Sequence, residues 1–162
     1  MNKLKQTIAE FLKTVFKSCA NACFMKKFYV DTNIWLDFAL DRKDNIRPLG
    51  EFAFQFFKKC MRNNWLILYS EVTIVELGKN IKPAEIYEKC FRMVAEEKLL
   101  LKVSLSKMQS AEAEEISKKH NVPFADALHA IIARDNEAVI VSRDLHFEKL
   151  SNIVKSFLPE ET

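Results

Sequence analysis

The segment from Lys26 to Asp37, KKFYVDTNIWLD, decides how the rest of the chain is interpreted. Its apolar run Phe28–Val30 is typical of a short buried strand, and the acid Asp31 follows at once. A second such run, Val139–Val141, is followed closely by Asp144. Unpaired charges are costly to bury, and open parallel sheets bind ligands beyond the carboxyl ends of their strands. The pattern therefore indicates a site at that edge of a sheet.

Strand and helix patterns alternate along the remaining chain. The predicted strands are Lys27–Val30, Leu66–Tyr69, Leu99–Val103, Ala138–Val141 and an edge strand at Ile153–Phe157. Predicted helices follow Asp31, Pro48, Ser70, Pro83, Ser104 or Ser106, and Pro123. Alternation of this kind predicts an α/β fold: a three-layer α/β/α sandwich around a mainly parallel sheet of four or five strands.

The composition is that of one globular domain. A chain of 162 residues with 49% hydrophobic residues can bury a sizeable core, which excludes disorder. Its 13 Phe with only 2 Gly favour helices over a hairpin-rich all-β fold. The net charge of +3 is too small to indicate nucleic-acid binding by itself.

Residues 1–24 predict an amphipathic, basic helix that extends a domain of residues 25–162. The apolar positions recur every three or four residues, at Leu4, Ile8, Phe11, Leu12, Val15, Phe16, Cys19 and Cys23. We expect this face to pack on the domain or on a second subunit. A membrane-surface role is less favoured, because the helix has Phe but no Trp. We expect no transmembrane segment and no signal peptide.

The four cysteines indicate a reducing, cytoplasmic environment. Cys19, Cys23, Cys60 and Cys90 form no CxxC pair, so we interpret them as reduced thiols that act as small hydrophobes. Cys19 and Cys23 lie one helical turn apart, but two thiols alone do not complete a soft-metal site.

Asp31, Glu76, Asp126 and Asp144 each have an ordinary structural interpretation as well. Asp31 and Asp144 suit helix caps or turns, and Asp126 suits the positive end of a helix dipole. Glu76 can pair with Lys79 at i+3 on a helix surface. Capping alone, however, does not require three acids at one edge of a sheet.

Close carboxylates need a cation. Two of them ~4 Å apart repel by about 4 kcal/mol at an effective dielectric of ~20. Such a cluster either protonates in part or binds a metal, and oxygen ligands favour Mg²⁺ or Mn²⁺. Either ion can activate water and neutralise a phosphoryl transition state, which suits phosphodiester hydrolysis.

Four segments in this order resemble the PIN domain, the ribonuclease fold of VapC-type toxins. They are YVDTNIWLD, SEVTIVELGK, PFADALHAIIA and VIVSRDLHFEKL. The resemblance implies that Asp31, Glu76, Asp126 and Asp144 bind Mg²⁺ or Mn²⁺ and drive endonucleolytic cleavage of single-stranded or structured RNA, leaving 5′-phosphate and 3′-hydroxyl ends. Asn33 and Ser142 match supporting polar positions, and Thr32 can help to orient the turn.

The resemblance also implies partners. It implies a toxin that pairs with an antitoxin protein and forms a homodimer, and the helix of residues 1–24 can alternatively occupy the groove where relatives bind the antitoxin. Arg143 is the basic residue nearest the acids in sequence and is a candidate RNA contact, as are Arg42, Lys43 and Arg47.

His146 departs from the family pattern, because many relatives carry an Asp two positions after the fourth acid. A histidine there can contact phosphate or RNA, or it can fill a surface turn, which is the interpretation we favour. An RNA-processing role instead of a toxin role stays open.

Two other functions were compared with the nuclease. A haloacid-dehalogenase-like phosphatase would use Asp31 as nucleophile, but it needs a titratable acid where this chain has Asn33. A catalytically degenerate PIN domain would serve as an RNA-binding or assembly module. The four acids argue against that alternative, whereas His146 in the fifth position keeps it open.

Overall fold

The computed structural model describes residues 25–162, and these contain a five-stranded sheet. The strands are β1 (Lys27–Val30), β2 (Leu66–Tyr69), β3 (Leu100–Lys102), β4 (Val139–Val141) and β5 (Ser156–Phe157). Their spatial order is β3-β2-β1-β4-β5, and every neighbouring pair is parallel. Parallel pairing follows from the helices that connect successive strands.

Helices connect the strands and cover both faces of the sheet. They are α1 (Thr32–Ala39), α2 (Leu49–Asn63), α3 (Glu71–Leu77), α4 (Pro83–Ile86), a π-helical turn (Tyr87–Phe91), α5 (Arg92–Glu96), α6 (Lys107–His120), α7 (Phe124–Asp135), α8 (His146–Lys149) and a 3₁₀ turn (Pro159–Glu161). None of the helices among residues 25–162 is both long and apolar enough to span a bilayer.

Side-chain alternation along β1 divides the core into two halves. Phe28 and Val30 point to one face, where Trp35 and Phe57 of α1 and α2 are fully buried. Tyr29 points to the other face, against α6, α7 and α8. Since successive strand residues face opposite sides, one strand of four residues anchors both helical layers. The predicted α/β/α sandwich is confirmed.

The strand order reverses direction between β1 and β4, at the centre of the sheet. The chain builds β1, β2 and β3 outward on one side and β4 and β5 on the other. The backbone N–H of Asp31 donates to the carbonyl of Val141 at 3.1 Å, so the two strands end side by side. This reversal opens a crevice beyond the carboxyl ends of β1 and β4.

Some predicted elements are longer than the observed ones. The fifth strand is confined to Ser156–Phe157, because the amides of Ile153 and Val154 bond back to the carbonyl of Leu150 in a turn. The helix predicted from Pro83 contains the π-helical turn at Tyr87–Phe91. The predicted helix of residues 1–24 lies outside the described residues, and the boundary at residue 25 stays a prediction.

The two cysteines of the described residues are core side chains. Cys60 and Cys90 are buried free thiols, as expected. Burial raises the pKa of each thiol to about 12, so neither supplies a reactive thiolate near neutral pH. Cys19 and Cys23 lie outside the described residues.

A buried ion pair fastens the loop after β4 to α1. Arg143 Nε donates to Asp37 Oδ2 at 2.8 Å, and Arg143 Nη1 donates to Glu160 Oε1 at 2.9 Å. The side chains of Arg143 and Asp37 are 13% and 4% exposed. The guanidinium also lies 5.8 Å from the centre of the Phe52 ring. Its burial and pairing argue against the RNA contact that the sequence suggested for Arg143.

We expect the substitution Arg143→Met to destabilise the fold. It leaves the Asp37 carboxylate buried with only Arg42 nearby, at 3.9 Å, which should cost about 3 kcal/mol of unfolding free energy. Urea denaturation measures this change. The control Arg92→Met removes an exposed arginine that pairs with Glu88 and Glu96, and should change stability far less. Unchanged stability with weakened RNA binding would contradict the structural role of Arg143.

Candidate metal centre

The four predicted acids line one shallow cavity of about 270 Å³ at the carboxyl edge of the sheet. Asp31 directly follows β1, Glu76 lies on α3, Asp126 lies in the first turn of α7, and Asp144 follows β4. The cavity is also lined by Thr32, Asn33, Leu36, Lys79 and Asn80. Residues from four separate elements therefore converge at the crevice between β1 and β4.

Asp31 is both a helix cap and a member of this cluster. Its Oδ1 accepts a hydrogen bond from the backbone N–H of Thr32 at 2.6 Å, as the N-cap of α1. Its Oδ2 accepts from the hydroxyl of Ser142 at 2.6 Å. Asp31 as a whole is only 7% exposed. The capping interpretation of Asp31 is therefore correct, and it does not compete with a role in the site.

Glu76 is held by residues other than Lys79. Its Oε2 accepts a hydrogen bond from the Thr32 hydroxyl at 2.6 Å and lies 3.0 Å from His129 Nε2. No ion pair joins Glu76 to Lys79 in the described part of the chain, so the surface-pair interpretation is wrong. Ligand atoms of Asp31, Glu76 and His129 all lie within 4.8 Å of one another.

His129 is a member of the site that the sequence interpretation missed. It lies on α7 and is 1% exposed. Its Nδ1 lies 2.8 Å from the Tyr29 hydroxyl, which in turn lies 2.7 Å from Ser70 Oγ and 3.3 Å from Thr73 Oγ1. The available signal was its position three residues after Asp126, on the same face of an otherwise apolar helix.

Asp126 and Asp144 form a second group with His146. His146 Nδ1 lies 2.8 Å from Asp126 Oδ2 and 3.1 Å from Asp144 Oδ1. Its ligand atoms and those of the two acids also lie within 4.8 Å of one another. The expectation that His146 merely fills a surface turn is wrong, because its ring is directed between two carboxylates.

Ser142 connects the two groups. Its hydroxyl donates to Asp31, while its oxygen accepts from the Asp144 backbone N–H at 2.9 Å and from Asn33 Nδ2 at 3.2 Å. Asn33 Oδ1 is buried at the cavity and has no hydrogen-bond partner. Thr32, Asn33 and Ser142 thus lie where the sequence places supporting polar groups.

Burial and charge shift the pKa values of this cluster in opposite directions. Burial raises the pKa of Asp31, and it raises the pKa of Asp126, where the charges of Asp144 and Asp31 add to the effect. Burial would also raise the pKa of Glu76, but hydrogen bonds from His129 and Thr32 outweigh it and lower the value. At Asp31 and Asp126, the neighbouring histidines therefore do not outweigh burial.

The imidazole of His129 shows the complementary shift. Burial opposes its charged form, but the Tyr29 oxygen and the carboxylates of Glu76 and Asp31 outweigh burial and raise its pKa. A histidine held between a hydroxyl and a carboxylate has a fixed ring orientation. His129 therefore fixes the position of Oε2 of Glu76, a residue that lines the cavity.

The donor set fits a divalent cation. Four carboxylates offer hard oxygen ligands, and Asn33 Oδ1 adds a buried oxygen without a partner. Burial is the main cause of the raised pKa values of Asp31 and Asp126, and neighbouring carboxylates add to it, so a bound cation would stabilise the charged forms of both acids. Asp31, Glu76, Asp126 and Asp144 are the residues that would hold such a cation.

Lys79 is the basic residue that lines the cavity. It takes part in no ion pair within the described residues, whereas Arg42 lies 3.9 Å from Asp37, and Arg47 pairs with Asp44. Neither Arg42, Lys43 nor Arg47 lines the cavity. Lys79 is therefore better placed to meet an anionic ligand of the cavity than Arg42, Lys43 and Arg47, which the sequence suggested.

Several solved structures share this fold. A chain of VapBC2 from Rickettsia felis bound to a promoter DNA fragment aligns with 17% identity and a TM-score of 0.56, covering 80% of this chain and 98% of that chain. A chain of a toxin–antitoxin complex from Klebsiella pneumoniae aligns with 16% identity and a TM-score of 0.55, covering 81% of this chain and 96% of that chain. A chain of FitAcB from Neisseria gonorrhoeae aligns with 18% identity and a TM-score of 0.55, covering 83% of this chain and 99% of that chain. A comparison with curated protein sequences finds no match.

A model of one protein family aligns with most of the chain. It is described as the PIN domain and matches residues 28–153. This range contains β2, β3, β4 and all of β1 but its first residue, and it ends before β5. The same range contains the four acids, His129 and His146. The chain therefore belongs to the PIN domain family.

Proposed function

We propose that the protein is a metal-dependent endoribonuclease that hydrolyses phosphodiester bonds of single-stranded or structured RNA. The observation that carries this proposal is the convergence of Asp31, Glu76, Asp126 and Asp144 in one cavity at the reversal point of the sheet. Membership of the PIN family, whose members are generally nucleases, supports it. Mg²⁺ or Mn²⁺ is the proposed cofactor.

The chain's own residues prepare this site for catalysis. A bound divalent ion supplies water activation and neutralises charge on the phosphoryl group. Ser142 and the Thr32 backbone each donate to one oxygen of Asp31, while His129 and the Thr32 hydroxyl hold Glu76. Because these donors are fixed before RNA arrives, little reorganisation is needed during the reaction.

The cavity is suited to a strand that lies across the protein surface. It is shallow, and Lys79 and Asn80 stand at its lining beside Glu76. A phosphodiester seated over the acids would bring one of its charged oxygens towards Lys79. RNA backbone contacts of this kind bind without reading sequence, since specificity comes from bases and shape.

We further propose that the protein is the toxin of a toxin–antitoxin pair and acts in the cytoplasm. The fold is shared with chains from toxin–antitoxin complexes, which supports an antitoxin partner. A homodimer, expected from the family resemblance, stays a prediction. If the protein does not cleave RNA, the result would favour the alternative, a catalytically degenerate PIN domain.

We expect purified protein to cleave labelled RNA with Mn²⁺ or Mg²⁺, and EDTA to abolish the cleavage. Asp31→Asn should lower the rate by at least about a hundredfold, because it removes a ligand charge while keeping the shape of the side chain. The matched control is Asp135→Asn at the far end of α7, where the carboxylate bonds Gln109 and pairs with Arg134. This control should cleave at the rate of the unchanged protein.

The result separates the two functions. Retained RNA binding with lost cleavage in Asp31→Asn supports the nuclease. Absence of cleavage by the unchanged protein, with every metal and with RNA of varied sequence and structure, contradicts it and favours the RNA-binding or assembly module.

Lys79→Ala should weaken RNA binding through the phosphate backbone. We expect the slope of log affinity against log salt concentration to fall by about one, with similar losses for different RNA sequences. Fluorescence anisotropy with labelled RNA measures both quantities for Asp31→Asn protein, in which cleavage does not interfere. Lys118→Ala, an exposed lysine of α6, serves as the charge-matched control. Equal effects of the two lysine substitutions would refute a specific role for Lys79.

A further inference from the structure

His146 occupies a position that its place in the chain does not explain. It begins α8 directly after Leu145, which is 71% exposed, yet the His146 ring turns inward to Asp126 and Asp144. Its backbone N–H already satisfies Asp144 Oδ1 at 2.9 Å, so the turn does not need the ring. The imidazole is 38% exposed, and the two acids that it contacts line the cavity.

The ring nitrogen is placed as a third donor beside two carboxylates. Nδ1 lies 2.8 Å from one acid and 3.1 Å from the other, so an ion between these oxygens would meet the nitrogen as well. The three ligand atoms lie within 4.8 Å of one another. With its proton on Nε2, the ring presents the Nδ1 lone pair to the same ion that the two carboxylates would bind.

We propose that His146 is a nitrogen ligand of the divalent ion held by Asp126 and Asp144, and that it makes this centre select Mn²⁺ over Mg²⁺. The inference rests on the proposed function, because it concerns the metal of the same site. It goes further than that function, because it assigns a nitrogen ligand in addition to the carboxylate oxygens and names Mn²⁺ as the preferred ion.

The selectivity follows from the chemistry of the two ions. Mg²⁺ is small and hard, and it prefers oxygen ligands in a near-ideal octahedron. Mn²⁺ accepts carboxylates equally well and stands in the series of transition metals that also bind imidazole. A neutral imidazole further supplies no negative charge, which weakens the purely electrostatic binding on which Mg²⁺ depends.

The other histidine that contacts the acidic cluster, His129, is not equivalent to His146. Both ring nitrogens of His129 are already engaged, Nδ1 with the Tyr29 hydroxyl and Nε2 with Glu76. Its 1% exposure leaves no approach for an ion except by breaking the bond to Glu76. The two rings differ in burial and in their second nitrogen contact, because the His146 side chain is 38% exposed whereas the buried His129 ring is also held by Tyr29. His129 is therefore a positioning residue, and nitrogen coordination is assigned to His146.

Direct binding tests this assignment without RNA and without turnover. Isothermal titration calorimetry of the full chain with Mn²⁺ and with Mg²⁺ gives both affinities. His146→Asp restores an all-carboxylate group, so we expect the preference for Mn²⁺ to fall by roughly tenfold, chiefly because Mg²⁺ binds more tightly. The matched control is His120→Asp, the same change of residue at the end of α6, which should leave both affinities unchanged.

A spectroscopic measurement identifies the ligand itself. Protein labelled with ¹⁵N-histidine and loaded with Mn²⁺ should show a nitrogen coupling in pulsed electron paramagnetic resonance. The coupling should disappear in His146→Asp and persist in His120→Asp. Circular dichroism and thermal melting of each variant establish that it is folded before its metal binding is compared.

The outcomes separate this inference from the proposed function. Mn²⁺ binding without nitrogen coupling, or with coupling that survives in His146→Asp, overturns the role of His146 and leaves the metal site intact. Failure of the unchanged protein to bind either ion overturns both. Equal affinities for Mn²⁺ and Mg²⁺ in the unchanged protein contradict the selectivity.

Discussion

Four carboxylates lie close together at one edge of the sheet, and their mutual repulsion is the main constraint on this structure. Parallel strands deliver Asp31 and the loop with Asp144 to neighbouring positions, and α3 and α7 bring Glu76 and Asp126. Such charges in a partly buried cavity disfavour the folded state unless donors or a cation compensate them. The surrounding polar residues provide part of this compensation, and the donor set suits a metal for the remainder.

The side chains that hold Glu76 in place are buried in the core rather than exposed on the surface. The two faces of β1 have separate tasks, because Phe28 and Val30 serve one apolar layer while Tyr29 carries a hydroxyl into the other. Tyr29 joins Ser70, at the start of α3, to His129 on α7, and His129 holds Glu76. A buried hydrogen-bonded chain thus ties the position of one acid to the packing of three elements.

The sequence predicts much of the fold, because the decisive signals are local. Short apolar runs with acids after them place the strand ends, and the alternation with helices predicts the parallel sheet. The four acids could be chosen for the same reason. Their convergence depends on β1 and β4 being neighbours in the sheet, which local signals do not predict and the strand order shows.

The histidines show why the rest could not be predicted. His129 and Tyr29 are 100 residues apart, and His146 and Asp126 are 20 residues apart, so no periodic pattern links them. The same limit applies to Arg143, whose partner Asp37 lies 106 residues away. Because Arg143 is close to the acids in sequence, it was a candidate RNA contact, but in the structure it pairs with Asp37 and stabilises the fold. The basic residue that lines the cavity is Lys79.

The central claim is that this edge of the sheet is a divalent metal centre, and a crystal grown with Mn²⁺ tests it most directly. Anomalous difference density identifies manganese independently of any assay. The account predicts a peak in the cavity bonded to oxygens of the acidic cluster, with Asp126, Asp144 and His146 among the ligands. An ordered cavity without such a peak at saturating Mn²⁺, or a peak only elsewhere on the protein, would contradict it.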